Sequence, residues 1–205
     1  MTDMPPSIDT ANFRKFQTRN PIARLTIDRF YRRLVEVIRD TGAATVLDAG
    51  CGEGETIERL RHVLPPNVVG FDLNPASVAF AARRFPEASF SVEDICHLPY
   101  RDDSFDLVIC LEVLEHLERP IDALRELARV SRAHIVISVP NEPWFQIGNL
   151  ARGKYLKRLG DHPEHIQHWG RRTLGILLAQ AAEVITIHSA FPWLIGHCRV
   201  RRTIK

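Results

Sequence analysis

The sequence predicts an α/β domain: a mostly parallel sheet with helices on both faces. Short β-prone apolar runs alternate with longer stretches whose apolar residues recur every three or four positions. The first strong run, Thr45-Val-Leu-Asp48, passes into glycines at alternate positions, Gly50, Gly52 and Gly54, and then into a helical pattern. The 205 residues, 45% apolar and 25% charged, suffice for one substantial core. They read as a single domain spanning 1–205, without repeats or low-complexity segments.

Residues 1–20 read as an irregular arm, and Asn20-Pro21 supplies a cap and a first-turn proline. From Pro21 to Arg39, Ile22, Leu25, Ile27, Phe30, Leu34, Val37 and Ile38 form the stripe of a helix packed on the sheet, so 1–42 is an arm plus a covering helix. Strand-like runs follow at Thr45–Asp48, Val68–Leu73, Ser89–Val92, Phe105–Leu111 and His134–Val139. Helical patterns fall at about 55–64, 75–85 and 119–130. After an insert at 141–170 come a helix (171–181), a strand (183–190) and a last β-like run (197–204), giving seven strands.

The glycine spacing restricts the ligand. A dinucleotide turn of the G-x-G-x-x-G kind needs glycine at position 55, where the chain has Glu55. A P-loop needs Gly-Lys-Ser/Thr, and Gly54 is followed by Glu55-Thr56. Acidic residues at this helix start, Glu53 and Glu55, repel a pyrophosphate and suit a cationic ligand. S-adenosylmethionine fits, with its sulfonium, ammonium and ribose hydroxyls. Val46-Leu-Asp-Ala-Gly-Cys-Gly-Glu-Gly54 resembles the first motif of the class I S-adenosylmethionine-dependent methyltransferases, of the type 11 kind. The resemblance covers about 45–205 and implies a Rossmann-like seven-stranded, mostly parallel sheet. It assigns Asp48, Ala49, Gly50, Cys51, Gly52 and Gly54 to the cofactor turn.

Ligands of open α/β sheets sit beyond the carboxyl ends of the strands. Asp72, ending the second strand, can there grip both ribose hydroxyls, and Leu73 can pack on the adenine. The resemblance places Asp94 at the exocyclic amine and Ile95 at the adenine edge, and lines the methionine end with Leu111. Capping of the helix after Asn74-Pro75 is the alternative use of Asp72; a solvent-facing loop carboxylate is that of Asp94.

Glu112-Val-Leu-Glu115-His116 is the most reactive-looking cluster outside these motifs. On a helix, Glu112, Glu115 and His116 would share one face at i, i+3 and i+4. His116 and His165 are the candidate catalytic residues. The segment resembles those of metal-dependent relatives, among them ubiquinone-pathway O-methyltransferases and enzymes methylating the 2′-oxygen of small-RNA 3′ ends. That makes Glu112, Glu115, His116 and His165 an alternative set of divalent-metal ligands, while the reading favours no metal. Asn141 and Glu142 stand at a strand exit on the acceptor side. The insert carries Arg152, Lys154, Lys157 and Arg158 before His162, His165 and His168, and Arg171-Arg172 after; these charges read as a solvated helix face or, alternatively, as a lid over a polar or anionic acceptor. The resemblance, in which a leading helix often covers the cofactor or substrate mouth, implies Lys15, Gln17 and Arg19 as further ligand-contact candidates. The basic tail, Arg199, Arg201, Arg202 and Lys205, reads as an edge protected by charge or a contact for an anionic partner.

A net charge of +2 does not by itself imply nucleic acid, and no apolar run approaches a membrane span. Scattered Cys51, Cys96, Cys110 and Cys198, and a polar start without a secretory segment, point to a reducing, cytoplasmic setting. The expected activity is methyl transfer from S-adenosylmethionine, with S-adenosylhomocysteine as product, to oxygen of a small-molecule acceptor. Two alternatives are metal-dependent 2′-O-methylation of an RNA 3′ end and a non-catalytic cofactor-binding or regulatory subunit.

Overall fold

A computed structural model describes residues 20–153 and 155–200. Lys15, Gln17, Arg19, Lys154, Arg201, Arg202, Lys205 and the side chain of Lys157 lie outside the described residues. Helix α1 (Pro21–Arg39) is capped by Asn20, whose Oδ1 accepts the N–H groups of Ile22 and Ala23 at 2.9 and 3.2 Å. It buries Ile27, Phe30, Tyr31, Leu34, Val37 and Ile38. Ile22 and Leu25, read from the sequence as part of the stripe, are exposed in its first turns.

The strands are β1 (Thr45–Ala49), β2 (Asn67–Asp72), β3 (Ser89–Val92), β4 (Phe105–Leu111), β5 (Ser131–Pro140), β6 (Glu183–Ala190) and β7 (Trp193–Arg199). They form one sheet in the order β3-β2-β1-β4-β5-β7-β6, parallel except where β7 runs antiparallel between β5 and β6. The order reverses at β1 and β4, so their carboxyl ends open the crevice in which such sheets bind ligands.

Alternation along the strands feeds two cores. Leu47, Val108, Ile135 and Ile137 face α4 (Pro120–Val130) and α6 (Arg171–Leu178). Val46, Leu107, Ile109, Val136 and Ile195 face α1 and α2 (Glu55–Leu60), with α3 (Pro75–Arg84) ending at Phe85 in the same core. The central strands are buried on both sides, as their near-continuous apolar runs require. No helix among the described residues is long and apolar enough to cross a membrane.

The structure corrects two sequence expectations. Helix α2 stops at Leu60 and continues in turns to Leu64, because the prolines at 65 and 66 disfavour helical geometry before them. The last strand begins at Trp193 rather than at 197. The insert contains a helix, α5 (Trp144–Ala151), and a 3₁₀ turn, Leu156–Arg158.

Candidate active site

The turn after β1 is held by backbone bonds to β2. Gly50 N–H and Cys51 N–H both donate to the Phe71 carbonyl, at 2.9 and 2.8 Å. Gly50, Gly52 and Gly54 have φ of +76°, +51° and +81°, a region costly for residues with a Cβ. Their surroundings differ. A Cβ at Gly50 would collide with Val113 Cγ2, and one at Gly54 would lie 2.6 Å from Phe85 Cε2, whereas one at Gly52 would meet nothing within 4 Å. Gly50 and Gly54 therefore serve close packing, while Gly52 borders open space. Cys51 turns inward: its buried thiol lies in the apolar interior, pushed up by burial and by Asp48.

Beneath this turn lies Asp48, 2% exposed, and its Oδ2 has no hydrogen-bond partner among the described residues. Burial, reinforced by Asp72, pushes its carboxyl up to about 7. A buried carboxylate so placed gains from a cationic ligand. Because the folded protein holds this proton more tightly than the unfolded chain, the stability that Asp48 contributes is full below about pH 4. It falls as pH rises towards 7 and is flat above. Asp48→Asn should therefore raise the stability of the ligand-free protein, by on the order of 2 kcal/mol at pH 8 and by less at pH 5. Thermal unfolding at the two pH values checks this.

Asp72 accepts from Gly52 N–H through Oδ2 and from Asn74 N–H through Oδ1, both at 2.9 Å. Asn74, not Asp72, caps α3, its Oδ1 accepting from Ala76 and Ser77. Asp72 thus braces the glycine turn and keeps lone pairs for further donors. Leu73 beside it is 74% exposed. Asp94 accepts from Cys96 N–H at 2.9 Å and faces His97 Nδ1 at 3.4 Å; these two hold its carboxyl low. Ile95 is buried, Ala49 is buried at the end of β1, and Leu111 packs half-buried at the end of β4.

Tyr31 was absent from the predicted stripe. It is buried, and its hydroxyl, raised by burial, Glu55 and Asp48, bonds to Thr56 beside the turn. The signal was its position four residues after Ile27 and three before Leu34. Val113 was missed too; nothing local in the sequence marks the residue that sits against Gly50.

The expected helix at Glu112 is absent. Glu112 has φ +58° and ends β4, and only Leu114–His116 forms a 3₁₀ turn. Glu112 Oε1 accepts from Ser138 Oγ at 2.9 Å and Oε2 from Trp193 Nε1 at 2.6 Å. Its carboxylate is thus directed to β5 and β7, and the metal-capable cluster among the described residues comprises Glu115, His116 and His165 without it. The insert supplies His165, whose ring centroid lies 5.1 Å from that of His116 and 4.7 Å from that of His162. His168 instead meets Asp161 at 2.8 Å. Glu142 Oε2 accepts from Gln146 N–H at 3.1 Å, and burial raises its carboxyl; Asn141 bridges to Trp169. Of the basic residues, Arg152 bonds Asn149 and Arg158 pairs with Asp161, so neither is directed at the cluster.

A family model described as a methyltransferase domain matches residues 47–136, which run from β1 through the glycine turn and β4 into β5. A probable S-adenosylmethionine-dependent methyltransferase of Mycobacterium tuberculosis is 31% identical over 155 residues, 71% of this chain and 56% of its own length. Residues 47–136 are thus a methyltransferase domain. A second relative in this family, the demethylmenaquinone methyltransferase of Renibacterium salmoninarum, is 28% identical over 70% of this chain and 62% of its own length. The chain thus spans between half and two thirds of the length of these curated relatives. The fold of a magnesium protoporphyrin IX methyltransferase from Synechocystis, solved with bound S-adenosylhomocysteine, superposes with a TM-score of 0.69 at 18% identity. That superposition covers 94% of this methyltransferase chain and 95% of the other.

Proposed function

We propose that this methyltransferase moves a methyl group from S-adenosylmethionine to an oxygen of a small-molecule acceptor. The observation that carries the reading is the cradle at the end of β1: an open Gly52 above a buried Asp48 whose Oδ2 has no donor among the described residues. In this reading Asp72, fixed by Gly52 and Asn74, takes the ribose hydroxyls, and exposed Leu73 covers the adenine. Asp94 and Ile95 border the adenine edge, and Leu111 the methionine end. Asp48 favours a ligand bearing positive charge. The cofactor supplies an activated methyl on a sulfonium, so the chain's own task is positioning, exclusion of water and removal of the acceptor's proton.

The imidazoles of His116 and His165 stand side by side past the end of β4, where an acceptor hydroxyl can lose its proton. Amines that are already nucleophilic need no such base, and this favours oxygen. His165→Ala should lower kcat for a hydroxyl acceptor by about 10²–10⁴-fold with the cofactor affinity unchanged. The check is transfer of labelled methyl to a panel of phenols, enols, carboxylates, amines and a 3′-terminal ribose. Label on amines alone would overturn the choice of oxygen. Label on the ribose end would favour an RNA acceptor, and cofactor binding with no transfer to any acceptor would favour a non-catalytic subunit.

A further inference from the structure

Helix α5 of the insert is apolar on the face it turns to solvent. Its inner face buries Phe145 and Asn149, whereas Trp144 and Ile147 are 52% and 48% exposed, and Ala151 is exposed one turn further on. These positions, at i, i+3 and i+7, form one stripe. None of the eight residues of α5 is charged. A helix that faces only water carries polar residues on its outer stripe, so this one is built to be covered.

The rest of the insert enlarges that face. Asn149 Nδ2 donates to the Gly160 carbonyl at 2.9 Å, which ties the 3₁₀ turn Leu156–Arg158 back to α5. Leu156 and Leu159 are exposed there. The first turns of α1 expose Ile22 and Leu25 as well. Helix α1 leads into the amino end of β1, and α5 follows the carboxyl end of β5. Both sets of exposed residues therefore stand at the end of the sheet that carries the glycine turn.

Charge indicates what covers the face. From Trp144 to Gly160 the chain has four basic residues, Arg152, Lys154, Lys157 and Arg158, and no acidic one. Arg152 bonds two neutral groups, the Gly148 carbonyl at 3.0 Å and Asn149 Oδ1 at 2.7 Å, so among the described residues no carboxylate offsets its charge. Arg158 pairs with Asp161 at 3.3 Å. Protein interfaces are poor in lysine. Tryptophan and aliphatic side chains bordered by Lys and Arg are instead the composition with which a surface helix enters the headgroup region of an anionic bilayer.

We propose that α5 and the 3₁₀ turn after it dock this protein on the surface of an anionic lipid bilayer. Trp144, Ile147, Leu156 and Leu159 enter between the headgroups, and the basic residues meet lipid phosphate. On its inner side α5 holds the Phe145 ring 5.6 Å from that of His165, centroid to centroid. A bilayer on the outer face is then one helix away from the imidazole to which the methyl-transfer reading gives the acceptor's proton. Joined to that reading, docking makes the acceptor class apolar hydroxyl compounds dissolved in the bilayer. Docking itself does not rest on it.

The test is co-sedimentation of the full chain with lipid vesicles in the absence of S-adenosylmethionine. Binding is expected to vesicles of phosphatidylglycerol mixed with phosphatidylcholine, and about tenfold or more weaker binding to phosphatidylcholine alone. Trp169 and Trp193 are buried, so a blue shift of tryptophan emission on binding reports Trp144. Ile147→Glu should weaken binding about tenfold or more through lost apolar burial, and Arg152→Ala about fivefold at low salt. Both side chains are exposed, and circular dichroism checks that the variants fold. Ile176→Glu, at an exposed apolar position of α6 outside the insert, should leave binding unchanged. Failure to bind anionic vesicles, or binding that Ile147→Glu and Arg152→Ala both leave intact, would overturn the proposal. A dimer seen by light scattering without lipid, and dissociated by Ile147→Glu, would also overturn it by giving the face to a second copy. Vesicle binding by a protein that fails to bind S-adenosylmethionine would leave docking standing and remove only the methyl-transfer reading.

Discussion

Gly52→Ala is expected to weaken S-adenosylmethionine binding by about 100-fold, roughly 2.7 kcal/mol, while the protein stays folded. The two effects separate because of where the added methyl goes. At φ +51° an alanine costs the fold about 1–2 kcal/mol in backbone strain. Around Gly52 there is nothing within 4 Å for the methyl to strike, so the fold takes no steric penalty. The space it fills is the space the account gives to the cofactor. Gly50→Val lacks this resolving power: its side chain meets Val113, so lost binding would be mixed with lost stability. Calorimetric affinity and thermal unfolding of Gly52→Ala, measured together, decide the matter. Unchanged affinity would place the ligand elsewhere.

Asp72→Ala should weaken the same binding by about 1.5–3 kcal/mol, or ten- to more than a hundredfold, through loss of charge-assisted hydrogen bonds to the ribose. It should also cost on the order of 1 kcal/mol of stability, because Gly52 N–H and Asn74 N–H lose their acceptor. Asp72→Asn separates these contributions: its amide oxygen still accepts one bond to the turn, while the charge and one acceptor are gone. Affinity equal to the unmodified protein in both variants would remove the ribose assignment.

The fold was largely legible because its signals are local. Apolar runs with β propensity became β1 to β6, and Asn20-Pro21 and Asn74-Pro75 became the starts of α1 and α3. The glycine turn was legible as a ligand cradle, since alternate glycines after a strand have few other physical explanations. Sequence did not distinguish their duties: Gly50 and Gly54 answer to Val113 and Phe85, contacts that exist only after folding.

The cluster past β4 was half legible. Spacing suggested a helix that would align Glu112 with Glu115 and His116. Ser138 and Trp193, from β5 and β7, instead take the Glu112 carboxylate, and the chain turns at φ +58°. His165 reaches the cluster through backbone bonds from Ile166 and Gln167 to Glu115, which no periodicity encodes. Tyr31 lay outside the predicted stripe, and its hydroxyl matters only because α1 lies over Asp48 and Thr56.

The most direct test of the central claim is calorimetric titration of the purified protein with S-adenosylmethionine and, separately, S-adenosylhomocysteine. Both are expected to bind at one site per chain, with a preference for the sulfonium form that grows as pH rises through about 7, where Asp48 ionises. Failure of both to bind would contradict the account, and with it the cofactor cradle at Gly52.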